Sequence, residues 1–558
     1  MRQKKRHRLR IGYASWTRRV RRWVMVGSLG VVLTGCGTPT VEEDPKVKAL
    51  TRQLSEIETV RLEEQSSSEP VTVEEATVEV IGQITDPNES RPAVQLTLEE
   101  ARAAALENNL DLKLELIDPT MAQLAVDQER AKFESLFFGS VRHSETEAVG
   151  TGTRSRSTSY DVGIESPLHT GGSVAIGVPF SDSDSDSEDF DGVADAAVSV
   201  SVIQSLLRGA GTRINMHSIR IAQHEKHITD AWTKLSAINI LAGVDITYWS
   251  LFAARRELEV RREQYKLAEN QLTHARDKVE AGAARGIEIV RAEAGLGSRL
   301  EDVINAETTV RNYERDLRRI MNRDDMPVES EIAIITVTEP NPLGLDLDEE
   351  VLAEAAIANR MDMIQMELRL AAGELSIDLA RNATLPNATL SYTYTGRAQS
   401  ETIGGALGHL AGNSFADHSI GLSASIPLGN EVAKARLHRA RLQQMRTVMS
   451  RERLQLQIRQ QVQEAVNELR QNWRRILAAA QAVTAAYRDY EVEQSQFQLG
   501  ESTSTFVLLA AGRLADAQLR KIRAFVQYEI AKVNLARTTG TLLGYGRIQL
   551  EPPDINIK

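Results

Sequence analysis

The stretch that decides the fold is VQEAVNELRQNWRRILAAAQAVTAAYRDYEVEQSQFQLG, residues 462–500. Apolar or aromatic residues recur in it at every seventh position: Val462, Leu469, Ile476, Val483, Tyr490 and Phe497. A second series fills the places between them: Val466, Trp473, Ala480 and Tyr487. Steps that alternate between four and three residues predict the seam of a left-handed coiled coil over about five heptads. Gly500 then provides a helix C-terminal turn, and residues 502–505 are predicted to cap a helix that restarts at Phe506.

The same series occurs 218 residues earlier in the chain. Its members are Val244, Leu251, Leu258, Tyr265, Leu272 and Val279, and it ends at Gly282. Two copies, each with a glycine turn and a returning helix, indicate an internal duplication. Each copy predicts a long helix of about 70 residues, or about 105 Å. A returning helix of half that length follows, at about 288–322 and 505–541. A further helix is predicted from about Leu110 to Leu136, bent at Pro119, and it would stack with the helix at 288–322, so that one long helix packs beside two short ones.

Charge is distributed unevenly along the 558 residues, whose formal net charge is −11. Residues 1–36 carry ten Lys and Arg and no acid, so the rest of the chain is more acidic than the total suggests. An acidic chain argues against nucleic acid as the main partner. Aromatic residues make up only 5% of the sequence, which suits long helices with narrow apolar seams better than large cores.

The single cysteine, Cys36, follows a basic segment and an apolar run of about thirteen residues, too short to span a bilayer as a helix. The tetrad LTGC that it closes resembles a bacterial lipobox, which implies a signal peptide at 1–35 and a lipid on the Cys36 thiol. No other cofactor is predicted. Gly37 follows where an aspartate would suggest inner-membrane retention, so the outer membrane is favoured. Residues 36–95 are polar and acidic, and they predict a tether.

Strict alternation of apolar and polar residues predicts β-strands in both halves of the chain. SYTYT places Tyr392 and Tyr394 on one face, and SIGLSASIP places Ile420 and Leu422 on one face. The first half offers four such segments, at about 137–143, 158–165, 173–179 and 196–204. The run SDSDSDSEDFDG at 181–192 is predicted to be a solvated loop. The apolar face meets either a soluble core or, in an outer-membrane barrel, lipid. The lipoprotein signal, and the lack of a spare amphipathic helix to cover the sheet, favour the barrel.

No catalytic constellation stands out from the helix-surface charges, and the chain is predicted not to be an enzyme. His217, His224 and His227 lie on one predicted helix, but no further ligand at suitable spacing completes a metal site. They are interpreted as solvated surface.

The order and spacing of several segments resemble the TolC-like outer membrane efflux protein family. These segments are QSLLRGAG at 204–211, IPLGN at 426–430, Tyr248-Trp249, NRMD at 359–362, LARNATLPNATL at 379–390, and the two tips. The resemblance implies an α+β membrane protein in which a homotrimer forms one twelve-stranded transmembrane β-barrel. Each chain would supply four strands to it. A long periplasmic α-helical barrel would continue from it.

The resemblance also implies a passive exit duct of a tripartite efflux or type I secretion system. Its tips would dock to a periplasmic adaptor and an inner-membrane RND, ABC or MFS transporter. The docking candidates are Gly282, Arg285, Gly286, Gly500, Glu501 and Ser502. Glu288 holds the acidic gate position of the first tip. Phe506 replaces the acid in the second, which suggests closure by dewetting.

Two further departures from the family pattern are present. Ser205 stands where relatives commonly have proline, which predicts a softer strand-to-helix corner. The pair at 158–165 and 173–179 exceeds two strands per half, and is expected to be a hairpin or strand extension outside the membrane. The repeats are placed at 96–340 and 341–546, with a tail at 547–558. The alternative function is a lipid-anchored periplasmic coiled-coil tether without a pore.

Overall fold

The computed structural model describes residues 91–147, 154–185, 193–282, 285–412, 415–499 and 501–545. All of them belong to one compact unit, Asp86–Lys558. The predicted signal peptide, Cys36, Gly500 and the C-terminal tail lie outside the described residues, as does the tether apart from residues 91–95.

Helices make up most of the described chain. In chain order they are α1 (Leu98–Asn108), α2 (Leu110–Glu115), α3 (Asp118–Ala131), α4 (Thr212–Asn215), α5 (His217–Glu280), α6 (Ile287–Met321), α7 (Glu349–Asn359), α8 (Met361–Asn382), α9 (Ile403–Gly412), α10 (Glu431–Leu499), α11 (Ser504–Thr538) and α12 (Leu542–Tyr545). The two long helices are therefore confirmed: α5 has 64 residues and α10 has 69. They extend over about 96 and 104 Å.

The strands fall into two sheets. They are β1 (Ala93–Leu96), β2 (Leu136–Glu147), β3 (Arg154–Leu168), β4 (Gly172–Ser185), β5 (Val193–Ser205), β6 (Ala333–Thr336), β7 (Asn387–Ser400) and β8 (Phe415–Ser425). All six predicted alternating segments are strands, and each is longer than predicted. The prediction of a solvated loop at 181–192 is wrong for residues 181–185, because these residues continue β4. Residues 186–192 lie outside the described part of the chain.

The large sheet has the order β2-β3-β4-β5-β7-β8, and every neighbouring pair is antiparallel. The resemblance implied four barrel strands per chain, whereas the large sheet of this chain holds six strands. The pair β3 and β4 is inserted between β2 and β5 rather than extending either of them. The outer edge of β3 is hydrogen-bonded to β2, and the outer edge of β4 is hydrogen-bonded to β5.

Each long helix packs beside two shorter helices, as the sequence predicts. Helix α5 packs against α3 and α6, and α10 packs against α8 and α11. The segment predicted as one helix from Leu110 to Leu136 is instead two helices: α2 ends at Glu115, and α3 begins at Asp118 with Pro119 in its first turn. A proline is accommodated best at the start of a helix, where its missing N–H is not needed.

The heptad seams are buried mainly against the shorter elements of their own repeat. In α5, Val244 and Leu251 are fully enclosed, and in α10 the same is true of Val462 and Val466. Burial decreases along α10, so that Tyr487 is exposed. The seam therefore stabilises the middle of the bundle more than its tip.

A buried carboxylate ties the first repeat together at its middle. Glu314 on α6 is 1% exposed and lies within 3.4 Å of Arg91, 3.3 Å of Arg255 and 3.6 Å of Arg318. It also accepts a hydrogen bond of 3.1 Å from the backbone N–H of Ile334 on β6. Strand β6 pairs in parallel with β1, so the carboxylate joins two helices to the small sheet.

Helix α9 has no counterpart among the sequence predictions. Its Ala406 is fully buried against Ala194 and Ala196 at one end of the large sheet. The expectation that no helix is available to cover the sheet is thus wrong at this end. The remaining apolar residues of the same face are left uncovered by α9.

Candidate functional site

The large sheet has one mainly apolar and one mainly polar face. Directly paired residues lie on the same face, so the strand register assigns each side chain to a face. The apolar face carries Phe137, Val141, Tyr160, Val162, Ile164, Val174, Ile176, Val178, Phe180, Val198, Val200, Val202, Leu390, Tyr392, Tyr394, Ile420 and Leu422. Several of them are large and exposed, including Phe137, Ile420 and Leu422. A hydrophobic surface of this extent indicates contact with lipid or with another chain.

The opposite face is mainly polar, although Leu136, Phe138, Ile203 and Phe415 also lie on it. It carries Ser140, Ser157, Ser159, Ser183, Ser199, Ser201, Thr389, Ser391, Thr393, Thr395, Ser419 and Ser423. Their hydroxyls bond across the strands, as between Thr389 and Ser423 at 2.6 Å. Four acids lie on this face, Asp161, Glu165, Asp195 and Asp417, and the last of them pairs with Arg397 at 3.2 Å. Such a face suits a water-filled passage.

The segment QSLLRGAG, residues 204–211, connects the large sheet to the helices and is hydrogen-bonded to the turn between β3 and β4. Gln204 donates from Nε2 to the carbonyl of Thr170 at 2.9 Å, and Thr170 donates from Oγ1 to Gln204 Oε1 at 2.8 Å. Gly211 donates its N–H to the same Thr170 carbonyl at 2.9 Å. The turn between β3 and β4 is therefore bound to the corner where β5 leads into α4 and α5.

Ser205 contributes to this corner through its backbone. Its N–H donates to the carbonyl of Gly171 at 3.2 Å, a bond that proline, which lacks an N–H, would not make. The departure from the family pattern thus supplies a hydrogen bond to the additional hairpin. The sequence predicted only a softer corner. The residue that accepts the bond, Gly171, lies 34 positions away, in a hairpin that the sequence does not place next to Ser205.

The first helical tip is narrow and contains both charged and apolar exposed groups. Gly282 ends the α5 turn with φ +70°, and no atom lies within 4 Å of where a Cβ would stand. Gly286 precedes α6, and Arg285 accepts a hydrogen bond of 3.0 Å from the N–H of Glu288. Glu288 pairs with Arg291 one turn later at 2.8 Å. The carboxylate is therefore partly neutralised by its own helix.

At the second tip, the cap differs from the prediction. Helix α11 begins at Ser504, not Phe506, and its N-cap Thr503 makes no side-chain capping bond. Ser502 instead donates from Oγ to Glu493 on α10 at 2.8 Å. Glu501 donates its N–H to the carbonyl of Gln496. Phe506, at the position equivalent to Glu288, is exposed.

A buried ion pair lies between α1 and α5. Arg102 donates from Nε and Nη2 to the two carboxylate oxygens of Asp245, both at 2.7 Å. Asp245 is fully enclosed, and burial raises the pKa of its carboxyl, while Arg102 acts in the opposite direction. The bidentate geometry fixes α1 against α5. Tyr248, one turn along, donates to the carbonyl of Leu96 at 3.0 Å.

The three histidines of α5 do not come together with acids as a metal site. Within the described part of the chain, no group of three or more His, Cys, Asp and Glu side chains is placed to hold a metal ion. His227 lies 3.6 Å from Asp230 on its own helix. Burial lowers the pKa of His217, which favours its neutral form.

Comparisons with known proteins agree with this arrangement. Residues 352–541 match the family described as outer membrane efflux protein. The outer membrane protein TolC of Vibrio cholerae serotype O1 is 22% identical over 330 residues, which cover 58% of this chain and 73% of TolC. The outer-membrane channel OprN has a TM-score of 0.60 at 16% identity, covering 82% of this chain and 96% of OprN. The Campylobacter jejuni outer membrane channel CmeC has a TM-score of 0.61 at 17% identity, covering 80% and 86%.

The chain therefore shares its fold with these outer membrane channels. The similarity of the chain to the TolC-like outer membrane efflux protein family is thereby confirmed. The matching family is described as outer membrane efflux protein, and the prediction that the chain is not an enzyme is confirmed as well.

Proposed function

We propose that three copies of this chain form an exit duct through the outer membrane. The observation that carries the proposal is the pair of opposed faces on the six-stranded sheet. In a closed barrel the apolar face meets lipid and the Ser- and Thr-rich face lines a lumen. The paired helices continue the duct into the periplasm for about 100 Å.

The helical ends are proposed to dock to a periplasmic adaptor. Arg285 and Gly286 follow the turn at Gly282, Glu501 and Ser502 precede α11, and all four are exposed or half-buried. Through the adaptor, the duct joins an inner-membrane transporter of the RND, ABC or MFS class. The similarity of the chain to outer membrane efflux proteins supports the proposal of these partners.

The periplasmic opening is proposed to be the gate. Glu288 and Phe506 occupy equivalent positions in the first turns of α6 and α11. The two positions differ in chemistry: Glu288 is an acid that pairs with Arg291, and Phe506 is an exposed phenyl ring. Three copies of the ring close the passage by excluding water, and Glu288 favours cations when it is open.

Lipid on Cys36 is proposed to add an anchor to the outer membrane. This anchor would add to the membrane attachment that the proposed barrel supplies. The alternative, an anchored coiled-coil tether without a pore, accounts for the heptads and for Cys36. It leaves the apolar face of the sheet without a partner.

The mass of the detergent-extracted particle, corrected for bound detergent, tests the proposal. A trimer that conducts ions in a planar bilayer supports the duct. A stable monomer or dimer contradicts it and leaves the tether. A trimer that does not conduct, even after Phe506→Ser, also contradicts a duct.

A further inference from the structure

The hairpin β3–β4 is an integral part of the large sheet. Strand β3 pairs with β2 from Leu136 opposite Glu165 to Glu147 opposite Arg154. On its other edge β3 pairs with β4, and β4 pairs with β5 as far as Gly172 opposite Gln204. Strands β2 and β5 are therefore not neighbours in the sheet, which would be interrupted without the hairpin.

The apolar face runs through the hairpin without interruption. Phe137, Ile164, Ile176, Val200 and Tyr394 are paired in turn across five neighbouring strands and form one row. Along β3 this face extends from Tyr160 to Leu168, with one polar member, Ser166. The strand segment from Tyr160 to Leu168 has nine residues, which matches the about 9–11 that a tilted strand needs to cross a membrane.

Aromatic rings lie at both ends of this apolar segment. Tyr160 on β3 stacks on Phe180 on β4, with ring centroids 4.8 Å apart. At the turn, His169 stacks on Phe133, with centroids 4.4 Å apart. Rings at the two borders of an apolar band are typical of membrane barrels, where they sit at the lipid–water interfaces.

Charged residues begin directly beyond Tyr160 and Phe180. Arg156 on β3 is opposite Asp184 on β4, and it lies 3.4 Å from Glu145 on β2. At the other end, the turn is hydrogen-bonded to Gln204, Ser205 and Gly211 at the strand-to-helix corner. The hairpin thus spans the same height as β5, from the corner to a charged rim.

We propose that β3 and β4 cross the outer membrane, so that the trimer encloses an eighteen-stranded barrel. This rests on the proposed trimeric duct. Six strands alternate in direction, so β8 of one copy runs antiparallel to β2 of the next and can pair with it. These are the two open edges of the sheet, and both carry exposed apolar residues, such as Val141 and Ile420, on the same face. Pairing between copies removes both edges.

The additional strands widen the duct where it crosses the membrane. With strands about 4.8 Å apart and tilted by about 40°, eighteen strands give a barrel about 36 Å across, against about 24 Å for twelve. Side chains do not fill a barrel of eighteen strands, which leaves an aqueous channel. The narrowest part of the duct is then at the helical tips.

Disulfide trapping in the full-length protein distinguishes an inserted hairpin from an external one. With the hairpin inserted, the pairs Phe137→Cys with Ile164→Cys and Ile176→Cys with Val200→Cys are directly opposed, and both are expected to form disulfides in membranes. The pair Phe137→Cys with Val200→Cys is separated by three strand spacings, about 14 Å, and is expected to remain reduced. Mass spectrometry of linked peptides identifies each bond separately from Cys36.

The opposite pattern overturns the inference. If β2 pairs directly with β5 and the hairpin lies outside, the 137–200 disulfide forms and the other two are lost. Electron cryomicroscopy of the trimer in lipid nanodiscs then counts the strands. Eighteen confirm the inference, and a trimer with twelve refutes it while leaving the duct intact. A particle that is not a trimer refutes the proposed function itself, and the eighteen-stranded barrel with it.

Discussion

The backbone N–H of Ser205 donates a hydrogen bond of 3.2 Å to the carbonyl of Gly171. This bond joins the last residue of β5 to the turn of the hairpin β3–β4. Ser205→Pro removes the N–H and leaves the carbonyl without this donor, and we expect a loss of about 1–3 kcal/mol in stability. Urea unfolding of the purified protein measures it. Ser205→Ala keeps the N–H and is the matched control; an equal loss in both variants would show that the bond is unimportant.

Gly171 is also constrained by its conformation and by its neighbours. Its φ is +91°, and a Cβ would lie 2.0 Å from the carbonyl oxygen of Gly209. Gly171→Ala is therefore expected to destabilise the protein by about 2–4 kcal/mol, because both the backbone strain and the clash must be relieved. In Gly139→Ala, on β2, the new Cβ meets no atom within 4 Å, and little change is expected. Unchanged unfolding of Gly171→Ala would disprove the packing of this turn.

The Arg102–Asp245 pair predicts a pH-dependent effect. Arg102→Met leaves a buried carboxylate without its partner, which is expected to cost about 3–5 kcal/mol near neutral pH. Burial already raises the pKa of Asp245, and loss of Arg102 raises it further. A carboxyl whose pKa is higher in the folded state stabilises the fold at low pH, and this stability is lost as pH rises through the folded-state pKa.

Unfolding of Arg102→Met should therefore become easier from acid to neutral pH, more steeply than in the unaltered protein. Arg130→Met removes an exposed pair with Asp127 and is the control, with an expected change below about 1 kcal/mol. Adding Asp245→Asn to Arg102→Met should remove the steep pH dependence. If it persists in the double variant, another group is responsible.

Phe506 predicts the behaviour of the gate. Phe506→Ser replaces an apolar ring with a hydroxyl, so that water enters the constriction, and resting conductance in planar bilayers is expected to increase severalfold. Leu477→Ser on α10 is the control, since Leu477 is 53% exposed and Phe506 is 52% exposed. Unchanged resting conductance of Phe506→Ser would disprove closure by dewetting.

Cys36 predicts a covalent modification. Cys36→Ser is expected to abolish incorporation of labelled fatty acid, because no other cysteine is present in the chain. Gly37→Ala keeps the thiol and should remain labelled. The barrel proposal predicts that Cys36→Ser stays in the outer membrane fraction. Its release into the soluble periplasm would instead favour the tether.

The sequence by itself determined the elements whose periodicity is local. The heptads around Val462 and Val244 identified both long helices, and the alternation around Tyr392 and Ile420 identified the strands and their faces. A side chain's place on a helix or strand depends on spacing along the chain, and spacing is visible in the sequence.

Only the tertiary structure decided which distant groups meet. The position of β3 and β4 between β2 and β5 depends on edge hydrogen bonds that any backbone can make, so no residue type signals it. Asp245 and Arg102 are 143 positions apart, and neither differs in sequence from a solvated helix charge. Ser205 and Gly171 meet through backbone atoms. Contacts of this kind follow from how the elements pack, which a linear pattern does not encode.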